Sequence, residues 1–108
     1  MDRGPSIKIW QVNLDRARHA TVELRQAVCE AKVDLLLIQE PYTIRGRVAG
    51  FGAATVVIAE ENADERPWAA IVVLNISFSI LRVGQMSTLY TACAEITCDQ
   101  GRMVVASC

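Results

Sequence analysis

No Cys-x-x-Cys pair occurs in this 108-residue chain, and its single histidine, His19, is not spaced to join the four cysteines. That excludes the usual zinc sites, and without an apolar signal segment after Met1 a disulfide framework is not suggested either. Cys29, Cys93, Cys98 and Cys108 are therefore expected to be reduced, mostly buried small side chains of an intracellular protein. Cys93 and Cys98 stand an odd number of positions apart, so on one regular strand they face opposite sides. No apolar run reaches the ~20 residues that a membrane helix needs. The longest apolar region, Trp68 to Leu81, is interrupted by Asn75, Ser77 and Ser79, and no membrane partner is expected. A marked excess of one charge is also missing, the formal net charge being -1. Residues 1 to 50 carry eight Lys/Arg against six Asp/Glu, and residues 51 to 108 carry three against six. That balance is too even to name a polyanionic partner by itself. Hydrophobic residues are plentiful at 52%, with 21% charged, so the chain can pack a core and is not of disordered type.

Gly4-Pro5 precedes a strand over Ile7 to Leu14, rich in β-branched and aromatic residues. Asp15 is placed to cap a helix over 16–32, in which Ala17, Ala20, Leu24, Ala27, Val28 and Ala31 recur at helical spacing. Val33 to Gln39 is a near-continuous apolar run, the signature of a strand covered on both faces, and Pro41 ends it. Gly46, Gly50 and Gly52 mark a loop; Ala53 to Ala59 and Trp68 to Leu74 predict strands, with a polar turn over Glu60 to Pro67 between them. Ser77 to Val83 alternates like a half-exposed strand. Thr91 to Thr97 and Arg102 to Cys108, joined at Asp99-Gln100-Gly101, predict a hairpin. There is no internal repeat. The order β-α-β followed by several short strands predicts an α+β or layered α/β protein. The open apolar strand at the end leads to the expectation that residues 1–108 are the N-terminal part of one larger domain.

A β-α-β crossover within one sheet makes its two strands parallel, and ligands collect beyond their carboxyl ends. Asn13 and Glu40 both fall there. Strands that are neighbours lie about 5 Å apart, close enough for the two side chains to converge. A carboxylate on a rigid strand end suits Mg²⁺, which keeps waters and substrate oxygens around one or two acids, while the amide can orient a ligand beside it. Each residue also has a plainer role: Glu40 as a solvated strand-end acid, Asn13 as a turn residue bonding to local backbone. A dinucleotide site would use the same β-α-β unit, but it requires a glycine-rich turn after the first strand. Asn13-Leu14-Asp15-Arg16 has no glycine, which rules that cofactor out.

The segments Gln11-Val12-Asn13-Leu14-Asp15-Arg16-Ala17-Arg18-His19-Ala20-Thr21 and Asp34-Leu35-Leu36-Leu37-Ile38-Gln39-Glu40-Pro41-Tyr42 resemble the start of the endonuclease domain of non-LTR retrotransposons. That domain belongs to the endonuclease/exonuclease/phosphatase superfamily. Ala69-Ala70-Ile71-Val72-Val73 and Met103-Val104-Val105-Ala106-Ser107 resemble its later strands. The resemblance implies a partial four-layered α/β sandwich, Mg²⁺ or Mn²⁺ as cofactor, DNA as substrate, and hydrolysis of a phosphodiester by in-line attack of water. It implies Glu40 as the metal ligand and Asn13 as the active-site amide beside it. It also implies a nuclear location for the full-length protein. The family's remaining site members, an Asp-x-Asn segment, a Ser-Asp-His segment and an earlier His or Tyr, are expected beyond residue 108, so the chain alone is expected to be inactive.

Arg16 and Arg18 are candidate phosphate contacts, as are Arg45 and Arg47, for which a solvated loop is the simpler role. Tyr42 is a candidate for packing against a sugar or base, or for covering the end of the core. Trp10 and Trp68 lie within predicted strands and are expected in the core, and His19 is expected on the surface of the helix. Two alternatives stay open: a phosphoinositide or sphingolipid phosphoesterase of the same superfamily, and a non-catalytic α/β module that pairs through an exposed sheet edge.

Overall fold

The computed structural model describes residues 7–45, 47–52, 55–58, 67–75, 77–82, 91–99 and 101–107. The chain begins with β1 (Ile9–Asn13), α1 (Arg18–Ala31) and β2 (Leu35–Gln39), the β-α-β unit that the apolar periodicity predicts. A short hairpin follows, β3 (Thr43–Ile44) with β4 (Arg47–Val48), then β5 (Thr55–Ile58), β6 (Ala69–Val73), β7 (Ser79–Arg82), β8 (Ala92–Cys98) and β9 (Gly101–Ser107). Gly4-Pro5, Gly46, Cys108 and residues 60–66 of the expected polar turn lie outside the described residues.

β1 and β2 are parallel neighbours, with Ile9 opposite Leu35 and Asn13 opposite Gln39. β6 lies antiparallel on the other side of β2, and β5 pairs antiparallel beyond it, giving the order β1-β2-β6-β5. The second large sheet, β7-β8-β9, is wholly antiparallel, and its β8–β9 hairpin is the one expected around Asp99 to Gly101.

β2 shows why an unbroken apolar run sits at the centre. Leu35, Leu36 and Ile38 are all fully buried, each contributing roughly 2 kcal/mol of transfer free energy. Leu36 and Ile38 join Ala70 and Val72 of β6 against Leu24 and Val28 of α1. Leu35 joins Ala69, Ile71 and Val73 against Ala92, Ala94 and Ile96 of β8. The period-2 alternation thus feeds two separate cores, and the layers run helix, sheet, sheet. Buried Ser107 at the end of β9 donates to the Ile38 carbonyl at 2.8 Å, tying the second sheet to β2.

The helix differs from expectation at its start. It begins at Arg18 rather than at residue 16, and Ala17 occupies the N-cap with no side-chain bond. Asp15 cannot cap it, because Asp15 and Arg16 both have left-handed backbone, φ +50° and +53°. The chain spends those residues on a turn across the end of the sheet. At the other end Lys32, φ +54°, closes α1 in the usual left-handed manner, with Val33 N–H donating to Val28 O at 3.1 Å. The β3–β4 hairpin, with two residues per strand, is too short to leave a periodic signal, and its Arg45 and Arg47 are exposed as the simpler expectation had it. Of the described cysteines only Cys93 is buried; Cys29 is exposed on α1 and Cys98 intermediate, so the expectation of mostly buried thiols is corrected. No helix among the described residues is long and apolar enough to cross a membrane.

Candidate active site

Asn13 is the last residue of β1 and Glu40 the first beyond β2, so both stand at the carboxyl end of the parallel pair. Their side chains meet: Asn13 Nδ2 donates to Glu40 Oε2 at 2.8 Å. The orientation of the amide is fixed by its other half, since Asn13 Oδ1 accepts the Asp15 N–H at 2.8 Å. Asn13 is thus the turn residue that the plainer reading expected, and its amide also bonds the acid.

Backbone bonds hold Glu40 from two further directions. Its N–H donates to the Trp68 carbonyl at 2.9 Å, and its carbonyl accepts the Arg16 N–H at 2.9 Å. Leu14 N–H donates to the Gln39 carbonyl at 3.0 Å, continuing the β1–β2 ladder up to the turn. Glu40 itself has φ +49°, which takes it out of the pleat. Asp15, Arg16 and Glu40 are three of the five non-glycine residues with positive φ among the described residues. A non-glycine residue in this region costs on the order of 1 kcal/mol, and such strain gathers where a side chain must be aimed. Among the described residues Glu40 Oε1 takes no hydrogen bond, and Glu40 is only partly buried.

The remaining candidates separate. Arg16 folds back over this end, its Cζ lying 4.9 Å from the centroid of the Trp68 ring, with a long 3.5 Å contact from Nη1 to the Pro41 carbonyl. Arg18 is exposed at the first position of α1, and His19 beside it is exposed as expected. Tyr42 is half-buried just past Pro41, its carbonyl accepting the Ala49 N–H at 2.9 Å. Trp68 corrects the sequence-based expectation. It precedes β6 and is 36% exposed, so it belongs to the rim of this site and not to the core. Nothing local signals this, because the partner Arg16 lies 52 residues earlier. Trp10 does pack against the helix-side core.

Among the described residues no group of three or more His, Cys, Asp or Glu side chains could hold a metal ion. Glu40 Oε1, held in place by the bond from Asn13 to Oε2, is a single open oxygen donor, which fits a hard cation that keeps its waters and borrows substrate oxygens. A cavity of about 380 Å³, lined by Arg25, Cys29, Lys32 and Phe51 among others, lies at the opposite end of the sheet and includes none of these residues.

No family model matches the chain, and no curated protein matches it. Among solved structures, the endonuclease domain of TRAS1, a telomere-specific non-LTR retrotransposon, superposes with a TM-score of 0.79 at 26% identity. The fold is endonuclease-like. The match covers 94% of this chain and 43% of that one, so the chain spans less than half the length of this neighbour.

Proposed function

We propose that this chain is the N-terminal part of a metal-dependent DNA endonuclease of the retrotransposon type, within a four-layered α/β sandwich. The observation that carries the reading is the 2.8 Å bond from Asn13 to Glu40 at the carboxyl end of two parallel strands. It presents one oriented carboxylate at the place where such sheets bind ligands. Glu40 would hold Mg²⁺ or Mn²⁺, which when bound neutralises charge developing on the phosphate oxygens. Asn13 keeps the carboxylate aimed and excludes the rotamers that would turn it into solvent. Arg18 supplies positive charge at the start of α1 for the DNA backbone, a positioning contact without base specificity. Tyr42, half-buried just past Pro41, would pack against a sugar or base of the strand, or cover the end of the core. The whole protein would act in the nucleus, where its substrate is.

Among the described residues no acidic or histidine side chain other than that of Glu40 bonds to Asn13 or Glu40, and the chain is expected to leave supercoiled plasmid uncut. Its metal site can be tested directly. In the ¹⁵N-labelled chain, Mn²⁺ is expected to broaden the Asn13 side-chain amide and the Glu40 backbone amide first, and Glu40→Gln is expected to abolish that broadening. Broadening that begins elsewhere, or that survives Glu40→Gln, would refute the assignment of Glu40 to the metal.

A further inference from the structure

Arg16 and Trp68 form a second constellation around Glu40, built from the same backbone locks. Arg16 N–H donates to the Glu40 carbonyl, and the Trp68 carbonyl accepts the Glu40 N–H, so the three residues are tied together through their backbones. Above this backbone triangle the Arg16 guanidinium rests on the Trp68 ring at 4.9 Å. A guanidinium stacked through its face keeps its N–H donors in the plane, where they remain available to an anion. A lone arginine on a surface turn samples many rotamers. Here the ring on one side and the Pro41 carbonyl, 3.5 Å from Nη1, on the other restrict it. The left-handed φ of +53° at Arg16 is what brings its side chain back across the end of the sheet.

We propose that Arg16 is a pre-set clamp for a DNA phosphate next to the one held at Glu40, and that Trp68 is the positioning residue that sets it. The proposal rests on the nuclease reading of Glu40 and adds a phosphate grip that determines how the strand lies across the site. Trp68 carries no charge, and its part in the clamp is to hold the Arg16 guanidinium. Binding of the full 108-residue chain to a fluorescein-labelled 20-base-pair duplex, in EDTA and across 50–200 mM salt, separates the roles. Arg16→Gln is expected to lower the slope of log K against log salt by about 0.9, the value for a single phosphate left without its cation. Trp68→Leu is expected to keep the slope while weakening binding roughly threefold, an effect of the size of one exposed cation–π interaction. Trp68→Phe is expected to restore most of that loss, and Arg16→Lys to keep the slope. In the double variant Trp68→Leu is expected to add nothing to Arg16→Gln, as a residue acting through its partner must.

An unchanged slope in Arg16→Gln, with the wild-type chain binding, overturns the clamp and leaves the nuclease reading standing. Additive losses in the double variant overturn the positioning role of Trp68. A wild-type chain that shows no salt-dependent binding at all overturns the clamp.

Discussion

The two ends of the β1–β2 pair carry the same chemistry, a carboxylate bonded by an asparagine amide, and use it in opposite ways. At the amino end Asp34 is saturated: Oδ1 accepts Asn75 Nδ2 and Oδ2 accepts the Lys8 N–H, each at 2.9 Å. Its carbonyl accepts the Leu74 N–H at 2.9 Å, and Lys8 Nζ reaches the Ala31 carbonyl at 2.7 Å, so β1, β2, β6 and the end of α1 are sewn together there. Even the amide roles correspond, since Asn75 Oδ1 caps a local turn through Ser77 N–H at 2.9 Å, as Asn13 Oδ1 does through Asp15. At the carboxyl end Glu40 gives one oxygen to Asn13 and, among the described residues, keeps the other free. A saturated carboxylate is a structural part. A half-used one, aimed by strained backbone, is what the metal site proposed at Glu40 requires.

That contrast can be broken most sharply at Glu40. In a longer protein that contains this chain, Glu40→Gln is expected to lower plasmid nicking at least about a hundredfold, because metal assistance is worth several kcal/mol. The melting temperature of the isolated chain should stay within about 2 °C, a few tenths of a kcal/mol for a domain of this size. Asp34→Ala is the mirror experiment. It leaves Lys8 N–H and Asn75 Nδ2 without their acceptor and is expected to cost about 2–3 kcal/mol in urea unfolding. Mn²⁺ broadening at Asn13 should survive it. Asn13→Ala should fall between the two, costing about 1 kcal/mol of stability because both its bonds are at an exposed site. Glu40 would then keep its metal but lose its aim, so Mn²⁺ broadening should spread over neighbouring amides. Ser107→Ala is expected to act on stability alone, costing roughly 1 kcal/mol by urea unfolding from loss of one buried bond to the Ile38 carbonyl. A larger effect on metal binding than on stability there would show that the second sheet, too, positions the site.

Much of the scaffold was legible along the chain. The helical recurrence through Leu24 and Val28 and the apolar run Leu35–Ile38 announced a helix and a doubly covered strand, because burial on one stripe or on two faces leaves a period in the sequence. The meeting of Asn13 with Glu40 was also legible, since a β-α-β crossover puts both strand ends on one side. The start of α1 was not. Asp15 has the side chain of a cap, yet its left-handed backbone serves the bond to Asn13.

The sequence by itself determined which segments become helix and strand, the two-sided burial of β2 and the side of the sheet on which the acid and the amide emerge. Only the tertiary structure decided that Trp68 leaves the core to carry Arg16, that Asp34 closes one end through Asn75, and that Ser107 seals the second sheet onto β2. The physical reason is range. Periodicity records how each residue meets water or core along its own element, whereas these contacts join residues 41 to 69 positions apart and exist only once three strands are packed.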